Sequence, residues 1–370
     1  MTSRERVLNS ISRKEVDMVP IDFGGTVVTS IDYGAHERLK KYMGISGGRD
    51  AIIDYTMGTV QPREEICKAF GSDVRRVGMN VIEPEIQNGV FTNGFGMRFR
   101  KAKQHEYYDL IHNPLEYADA EQLAQMLLPD PDDSRLFYGV RDRAKDLFEN
   151  SPYAVFADFG VPGFFETSQK LRGYEQLGCD LLLNKGFLKV LYDKLLDLQT
   201  KFFRNYLREV NGYAQVIGYA DDLGMQDRLQ MSCETYRNVI KPYHKKIFSY
   251  IHEISDVKIM LHCCGAIGDL IDDLIEAGVD IINPMQTRAT GMEPAGLKER
   301  FGGRVCFWGG IDEQYLIPFG TTEEVRAEVK QMLHIMGKGG YVLAPAHNIQ
   351  SDAKLENLVT MFETAKEYRI

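Results

Sequence analysis

Residues 257–265 combine an apolar run with a histidine and a cysteine placed two positions apart. The run 257–261 predicts a buried strand, and His262, Cys264 and Gly265 would lie in a tight loop directly after it. An imidazole and a thiolate at this spacing can bind one soft divalent cation, usually zinc. The alternative is a buried pair that serves packing and a hydrogen bond.

A third candidate ligand, His347, follows the last apolar run of the chain. With His262 and Cys264 it would give three ligands and leave a fourth position for water or substrate, the pattern of a catalytic zinc site. His347 could instead be a hydrogen-bonding residue. The neighbouring Cys263 should point away from Cys264 and be buried scaffold.

Short apolar strands alternate with helical patterns, which predicts a parallel sheet. The length of 370 residues suits a (β/α)₈ TIM barrel. A doubly wound open sheet is the alternative, but no G-x-G-x-x-G turn follows the first strand. The predicted strands, about eight in all, are residues 19–23, 74–78, 153–158, 213–219, 257–261, 279–282, 304–307 and 341–344.

Residues 81–112 interrupt this alternation with the turns and period-two pattern of β-hairpins. We expect an antiparallel insert packed on the barrel, so that residues 1–370 form one domain. A long helix is predicted near 233–255. The Gly/Pro loop 159–165 is either an aromatic pocket wall or a simple strand-to-helix turn.

In such a barrel the loops after the strands meet at one face, where the active site lies. Asp222, Gln286 and Asp312 each lie in a loop of this kind. They are candidates for orienting the substrate or a metal ligand. Asp222 could also be a fourth ligand, a carboxylate behind a ligand histidine, or a helix cap.

The composition is that of an ordinary globular enzyme, with 44% hydrophobic and 26% charged residues. A net charge of −9 without a long basic cluster argues against nucleic acid as the main partner. No apolar run approaches the roughly 20 residues that span a bilayer, and the first residues lack the apolar core of a signal peptide. The six scattered cysteines suit a reducing compartment. We therefore expect a cytoplasmic protein.

Taken together, these motifs resemble those of the uroporphyrinogen decarboxylase superfamily, and most closely its zinc-dependent methylcobamide:coenzyme M methyltransferases and related corrinoid-linked methyltransferases. The resemblance covers essentially the whole chain. It implies a TIM barrel, Zn²⁺ as cofactor, and a corrinoid carried by a partner protein. The residues that carry it are 4–8, 16–20, His262, Cys264 and Gly265, 278–280, Asn283 and Pro284, and 309–312.

Two departures from that pattern affect the expected function. The decarboxylase has an arginine-rich N-terminal motif for its tetrapyrrole substrate, yet residues 17–35 contain no arginine. The methyltransferases place a second cysteine where this chain has His347. Because the decarboxylases carry a histidine there without zinc, His347 either completes a zinc site or binds substrate.

The leading hypothesis is a zinc-dependent methyltransferase that moves a methyl group between a corrinoid protein and a small thiol or methoxylated compound. The alternative is a metal-free lyase acting on a small carboxylate, which should show an arginine cluster once folded. A non-catalytic corrinoid-binding protein would keep the barrel but lack convergent ligands. The oligomeric state stays open, with a homodimer among the candidates.

Overall fold

Strands and helices alternate along most of the chain. In the computed structural model, the described residues are 1–102, 107–158, 160, 162–337 and 339–368. The strands, in chain order, are β1 (Ile31–Asp32), β2 (Ile52–Asp54), β3 (Thr59–Val60), β4 (Val74–Val77), β5 (Val90–Thr92), β6 (Arg98–Lys101), β7 (Tyr108–His112), β8 (Ala154–Ala157), β9 (Val216–Ala220), β10 (Lys258–His262), β11 (Ile281–Asn283), β12 (Cys306–Trp308) and β13 (Tyr341–Val342).

Helices follow the strands and cover the outside of the sheet. A short 3₁₀ helix spans Val27–Thr29 and a π-helical segment spans Tyr236–Ile240. The α-helices are α1 (Ser3–Ile11), α2 (Tyr33–Tyr42), α3 (Glu64–Ala69), α4 (Ala120–Gln125), α5 (Ser134–Phe137), α6 (Val140–Asn150), α7 (Phe164–Arg172), α8 (Tyr174–Leu183), α9 (Lys185–Val210), α10 (Cys233–Thr235), α11 (Lys241–Ile254), α12 (Ile271–Ala277), α13 (Pro294–Phe301), α14 (Leu316–Phe319), α15 (Thr322–Met336) and α16 (Leu355–Glu367).

The main sheet is a parallel barrel, as predicted. Its strands pair in the order β4-β8-β9-β10-β11-β12-β13. The segment around Ile21 closes the gap between the two ends: Ile21 pairs in parallel with Leu343, and its carbonyl oxygen accepts the N–H of Asp73 at 2.7 Å. The predicted first strand is therefore a single bridge. Pro20, which has no N–H to donate, limits the pairing there.

The inward side chains of the barrel form an apolar cluster of their own. It includes Phe156, Met260 and Trp308, and Val7 and Ile11 of α1 close it at the amino-terminal end of the strands. The outward side chains pack against the helices in a second, larger cluster. Burial on both faces explains why most of these strands are apolar along their whole length, although β4 contains two arginines.

The long helix predicted near residues 233–255 is interrupted. The π-helical segment Tyr236–Ile240 separates α10 from α11. The interruption coincides with Pro242 in the first turn of α11. Because proline has no N–H, it cannot donate to the carbonyl four residues earlier, and the regular helical pattern changes at this point.

Two small antiparallel sheets are added to the barrel. The expected insert is a three-stranded sheet in the order β5-β6-β7, and residues 103–106 between β6 and β7 lie outside the described residues. A second sheet, β1-β3-β2, is not evident in the sequence. The N–H of Tyr108 donates to the carbonyl of Thr56 at 2.9 Å and joins the two sheets. That the barrel and the inserts form one domain remains a prediction.

Among the described residues, no helix has both the length and the apolar composition needed to cross a bilayer. In the loop 159–165, Phe159 and Val161 lie outside the described residues. Phe164 and Phe165 begin α7 and are buried. The described part of this loop is thus a strand-to-helix connection whose aromatic residues pack inward.

Candidate metal centre

The three candidate ligands meet at the carboxyl-terminal end of the barrel, referred to below as the mouth. His262 is the last residue of β10, Cys264 lies in the loop that follows, and His347 lies in the loop after β13. One ligand atom from each lies within 4.8 Å of the other two. The Sγ of Cys264 is 3.4 Å from Nε2 of His262, and the two imidazole centroids are 5.2 Å apart.

The partner of His262 determines which ring nitrogen can bind a metal. Its Nδ1 lies 2.6 Å from Oδ1 of Asn283. The amide nitrogen of Asn283 donates to the carbonyl oxygen of Trp308, so Oδ1 must face the imidazole and accept its proton. The Nδ1-protonated tautomer follows, and Nε2 keeps the lone pair that a metal needs.

His347 has a matching partner. Its Nδ1 lies 2.5 Å from Oδ1 of Asn348, whose amide nitrogen donates to Oγ1 of Thr59 in the small sheet β1-β3-β2. Burial and the adjacent His262 lower the pKa of His347 to about 4. The imidazole is therefore neutral near pH 7, and its Nε2 is available as a ligand.

Asp222 and Gln286 fix the backbone of the loop that carries Cys264. Oδ1 of Asp222 accepts the N–H of Cys264 at 2.7 Å, and Oε1 of Gln286 accepts the N–H of Gly265 at 2.7 Å. Gly265 has φ +92°, and a Cβ there would lie 2.6 Å from the backbone of Gly224. The turn therefore requires glycine, and two side chains from neighbouring loops hold it in place.

The helix-capping role considered for Asp222 belongs to its neighbour Asp221. The Asp221 carboxylate accepts the N–H groups of Phe165 and Glu166 at the start of α7. Its Oδ2 also lies 2.9 Å from Nε2 of the buried His244. Two adjacent aspartates thus face different elements, one holding α7 and the other the loop of Cys264.

The two adjacent cysteines differ as predicted. Cys263 is fully buried and its sulfur accepts the N–H of Leu223 at 3.2 Å, so it is scaffold. Burial raises the pKa of the Cys264 thiol well above its ordinary value, and the carboxylate of Asp222 raises it further. Without a cation Cys264 is a thiol, whereas a bound divalent metal would favour the thiolate.

Asp312 lies in a separate cleft beside the mouth. Its carboxylate accepts the N–H groups of Gln314 and Leu316 and lies 3.5 Å from the guanidinium of Arg288. The cleft has a volume of about 300 Å³. Among the described residues, Asp312 is not in the group whose ligand atoms converge. Its role in orienting a substrate remains a prediction.

Sequence reasoning gave no role to Asn283, Asn348 or Glu313. The first two set the histidine tautomers. Asn348 directly follows His347 in the sequence, whereas Asn283 is 21 positions from His262 and faces it only because their strands pair. Glu313 follows Asp312 and has a buried Oε2 with no hydrogen-bond partner. Nothing in its sequence context distinguishes it from its acidic neighbour.

The arrangement suits zinc. Imidazole nitrogen and thiolate sulfur are both donor types that zinc accepts, and three protein ligands leave the fourth position that catalytic zinc sites keep open. Tetrahedral zinc with typical Zn–S and Zn–N bonds places sulfur and nitrogen about 3.5 Å apart, and the separation between Cys264 and His262 is 3.4 Å. The pair formed by His262 and Cys264 therefore needs little rearrangement to bind the ion, and the ligand atom of His347 lies within 4.8 Å of both.

Comparison with known proteins identifies the family. Residues 185–368 match the model of the uroporphyrinogen decarboxylase (URO-D) family. Uroporphyrinogen decarboxylase from Crocosphaera subtropica is 26% identical over 139 residues, which are 37% of each chain. The enzyme from a Synechocystis species is 25% identical over 139 residues, 37% of this chain and 38% of its own. Residues 185–368 therefore belong to the uroporphyrinogen decarboxylase family.

The match spans well under half the length of these decarboxylases, whereas structural similarity extends over the whole chain. A methyltransferase from Methanosarcina mazei superposes with a TM-score of 0.66 over 99% of both chains at 18% sequence identity. At that identity the comparison shows a common fold. Residues 185–368 contain His262, Cys264 and His347, while both small sheets precede them, so the candidate ligands lie in the part that matches the superfamily.

Proposed function

We propose that this chain is a zinc-dependent methyltransferase that moves a methyl group between a corrinoid protein and a small thiol or methoxylated compound. The observation that carries the proposal is the convergence of His262, Cys264 and His347, with one ligand atom from each within 4.8 Å of the others. Both histidines have Nδ1 occupied by an asparagine oxygen, which leaves both Nε2 atoms to bind the metal.

In this proposal His262, Cys264 and His347 hold the zinc ion. When bound, zinc supplies Lewis acidity, which favours the thiolate of an acceptor or polarises the oxygen of a methoxylated donor. Asn283 and Asn348 keep the imidazoles in the ligating tautomer. Asp222 and Gln286 hold the loop of Cys264, which suits their predicted role in orienting a metal ligand.

Membership of the superfamily and the shared fold with the Methanosarcina mazei methyltransferase support methyl transfer as the reaction class. The corrinoid would have to approach the small substrate at the metal ligands from outside this chain, so the proposal includes a corrinoid protein that docks at the mouth and exchanges the methyl group with that substrate. We also assign the protein to the cytoplasm, where a reducing environment would keep Cys264 available as a ligand.

The alternative, a metal-free lyase acting on a small carboxylate, is favoured by the match to the decarboxylase family. Such an enzyme needs free cationic side chains to hold carboxylates. At the mouth, Arg76 is paired with Asp158. In the adjacent cleft, Arg288 lies 3.5 Å from Asp312. These arginines are engaged by acids of the protein itself, which favours the metal-dependent proposal.

Elemental analysis of the purified protein tests the proposal, with His262→Ala and Cys264→Ser as comparison variants. We expect about one zinc per chain in the natural protein, as a site with one set of three ligands requires, and loss of the ion in both variants. Methyl transfer is then assayed with a methylated corrinoid protein and simple thiols. Protein without zinc after reconstitution under reducing conditions would instead support the lyase.

A further inference from the structure

Helix α8 presents an apolar face to solvent. Leu182 and Leu183 are 71% and 86% exposed, and Tyr174 at the other end of the helix is 74% exposed. Gly178 and Cys179 lie between them and are exposed as well. Large apolar side chains gathered on one exposed face commonly mark a contact with another molecule.

A neighbouring turn extends this face. Its residue Tyr117 is 87% exposed. The buried Arg172 holds the turn beside α8, because its Nη1 donates to the carbonyl oxygen of Ala118 at 3.0 Å and its Nε lies 2.7 Å from Oδ2 of Asp180 in α8. The term α8 surface is used below for Tyr117, Tyr174, Gly178, Cys179, Leu182 and Leu183.

The size and charge of the α8 surface suit a protein partner. Its four large side chains expose roughly 100–200 Å² each, which together is about half or more of the roughly 800 Å² that each partner contributes to a standard protein interface. Helix α8 carries the acids Glu175 and Asp180 and neither lysine nor arginine. An anionic membrane surface attracts basic amphipathic helices, so it is a poor partner for this one.

The two ends of the α8 surface carry opposite charges. Glu175 lies in the first turn of α8, and Lys185 begins α9 just after α8 ends. Both are exposed, and no ion pair joins either of them to another described residue. When two identical helices pair about a two-fold axis in antiparallel fashion, each end of one helix faces the opposite end of the other. Glu175 of each copy would therefore face Lys185 of the other.

We propose that the α8 surface is the contact between two copies of this chain, related by a two-fold axis that passes near Cys179. Tyr174 of each copy would pack on Leu183 of the other. Gly178 would lie close to the axis, and a Cβ there would meet no other described atom within 4 Å, so a second helix has room to approach. The inference concerns association and does not depend on the metal or on the reaction.

Sedimentation equilibrium of the full chain tests the proposal. We expect a dimer at about 10 μM, since interfaces of standard size have micromolar or tighter affinities. Leu183→Glu should weaken the dimer at least about 100-fold, because the two-fold axis makes each substitution count twice and each would bury a carboxylate. Phe319→Glu is the matched control: Phe319 is 61% exposed and lies on α14, which packs against α15 and α16. Its dimer should be as tight as that of the natural protein.

A charge reversal provides a second set of variants in which both leucines are kept. Glu175→Lys should weaken the dimer at least about fivefold, and the further change Lys185→Glu should restore it, because the opposed charges are then paired again with their signs exchanged. Cys179 is the exposed cysteine among the described residues. A short bismaleimide should therefore join two natural chains, and Cys179→Ser should abolish the covalent dimer.

The contrary outcomes are distinct. A natural protein that stays monomeric at every concentration would overturn the proposal. A dimer that Leu183→Glu leaves intact, or that the bismaleimide does not join through Cys179, would place the contact on another surface. Binding of a monomeric natural protein to anionic vesicles, lost in Leu183→Glu, would make a membrane the partner of this face instead.

Discussion

Two clusters in this molecule bring histidine and acid or thiol ligand atoms within 4.8 Å of one another, but their surroundings differ. In the first, formed by His262, Cys264 and His347, the neighbours of the imidazoles are neutral amide oxygens. In the second, formed by His36, Glu37 and Asp50, Nζ of Lys40 lies 2.6 Å from both carboxylates.

Arg63 also pairs with Asp50, so the second cluster already contains its cations. A metal ion there would have to displace a buried lysine and an arginine. The first cluster has no such competitor among its described contacts. Proximity of ligand atoms alone therefore does not distinguish a candidate metal site from an ion-pair cluster. The residues that contact the ligands distinguish the two, because they set the local charge and the histidine tautomers.

The largest expected effect is on metal binding. Cys264→Ser should reduce zinc content from about one per chain to near zero, because a hydroxyl is a much poorer zinc ligand than a thiolate. Asp50→Asn in the second cluster should leave zinc content unchanged. Elemental analysis of both variants checks the comparison, and loss of zinc in Asp50→Asn would reverse the assignment of the two clusters.

Asp50→Asn should instead lower the free energy of unfolding, by about 3 kcal/mol or more. The substitution leaves the buried Lys40 and its neighbour Arg63 without their shared carboxylate. Urea unfolding measures the effect, with Lys68→Ala as a surface control because its ion pair with Glu64 is exposed. Equal stability of Asp50→Asn and the natural protein would show that this ion-pair cluster is not structural.

Substitution of Asn283, which accepts the Nδ1 proton of His262, should have a moderate effect on zinc affinity. Asn283→Ala removes the acceptor that fixes the tautomer, and we expect zinc affinity to fall about 10- to 100-fold. Asn283→Asp keeps an oxygen at that position and should retain more affinity. Competition with a chromophoric chelator measures the zinc affinities of both variants. Equal affinities for the alanine variant and the natural protein would contradict the tautomer argument.

Low pH should reduce the free energy of unfolding of the metal-free protein. The pKa of His347 is about 4 in the folded chain, below the value of about 6.5 for an unfolded histidine. The unfolded state therefore binds more protons between these values, so this contribution to stability is complete above about pH 6.5 and is lost as the pH falls towards 4.

The expected loss from His347 is about 2 kcal/mol between pH 7.5 and pH 5. Burial also lowers the pKa of His36, so the second cluster contributes to acid sensitivity in the same direction. Urea unfolding at the two pH values, for the metal-free natural protein and for His347→Gln, isolates the share of His347. The same pH dependence in both proteins would contradict its assigned pKa.

The barrel could be predicted from the sequence because most of its strands are short apolar segments, and helical patterns alternate with them along the chain. The loops that carry His262 and His347 followed from that order. The sheet β1-β3-β2 could not be predicted, since two of its strands have only two residues each and depend on pairing with each other. Short strands carry too little periodicity to be recognised.

Side-chain roles were harder to predict than positions. Asp221 and Asp222 are adjacent and chemically identical, and only the fold shows that one caps α7 and the other holds the loop of Cys264. Which neighbour faces the site depends on contacts with residues far away in the sequence.

The hydrogen bond between Asn348 and Thr59 joins residues 289 positions apart in the chain. During synthesis, His262 and Cys264 leave the ribosome well before His347, and His347 is oriented only when its neighbour Asn348 meets Thr59. A nascent chain that has not yet produced its last strand thus has two ligands and no complete centre. Tight uptake of metal would then mark the moment at which the newly made barrel closes.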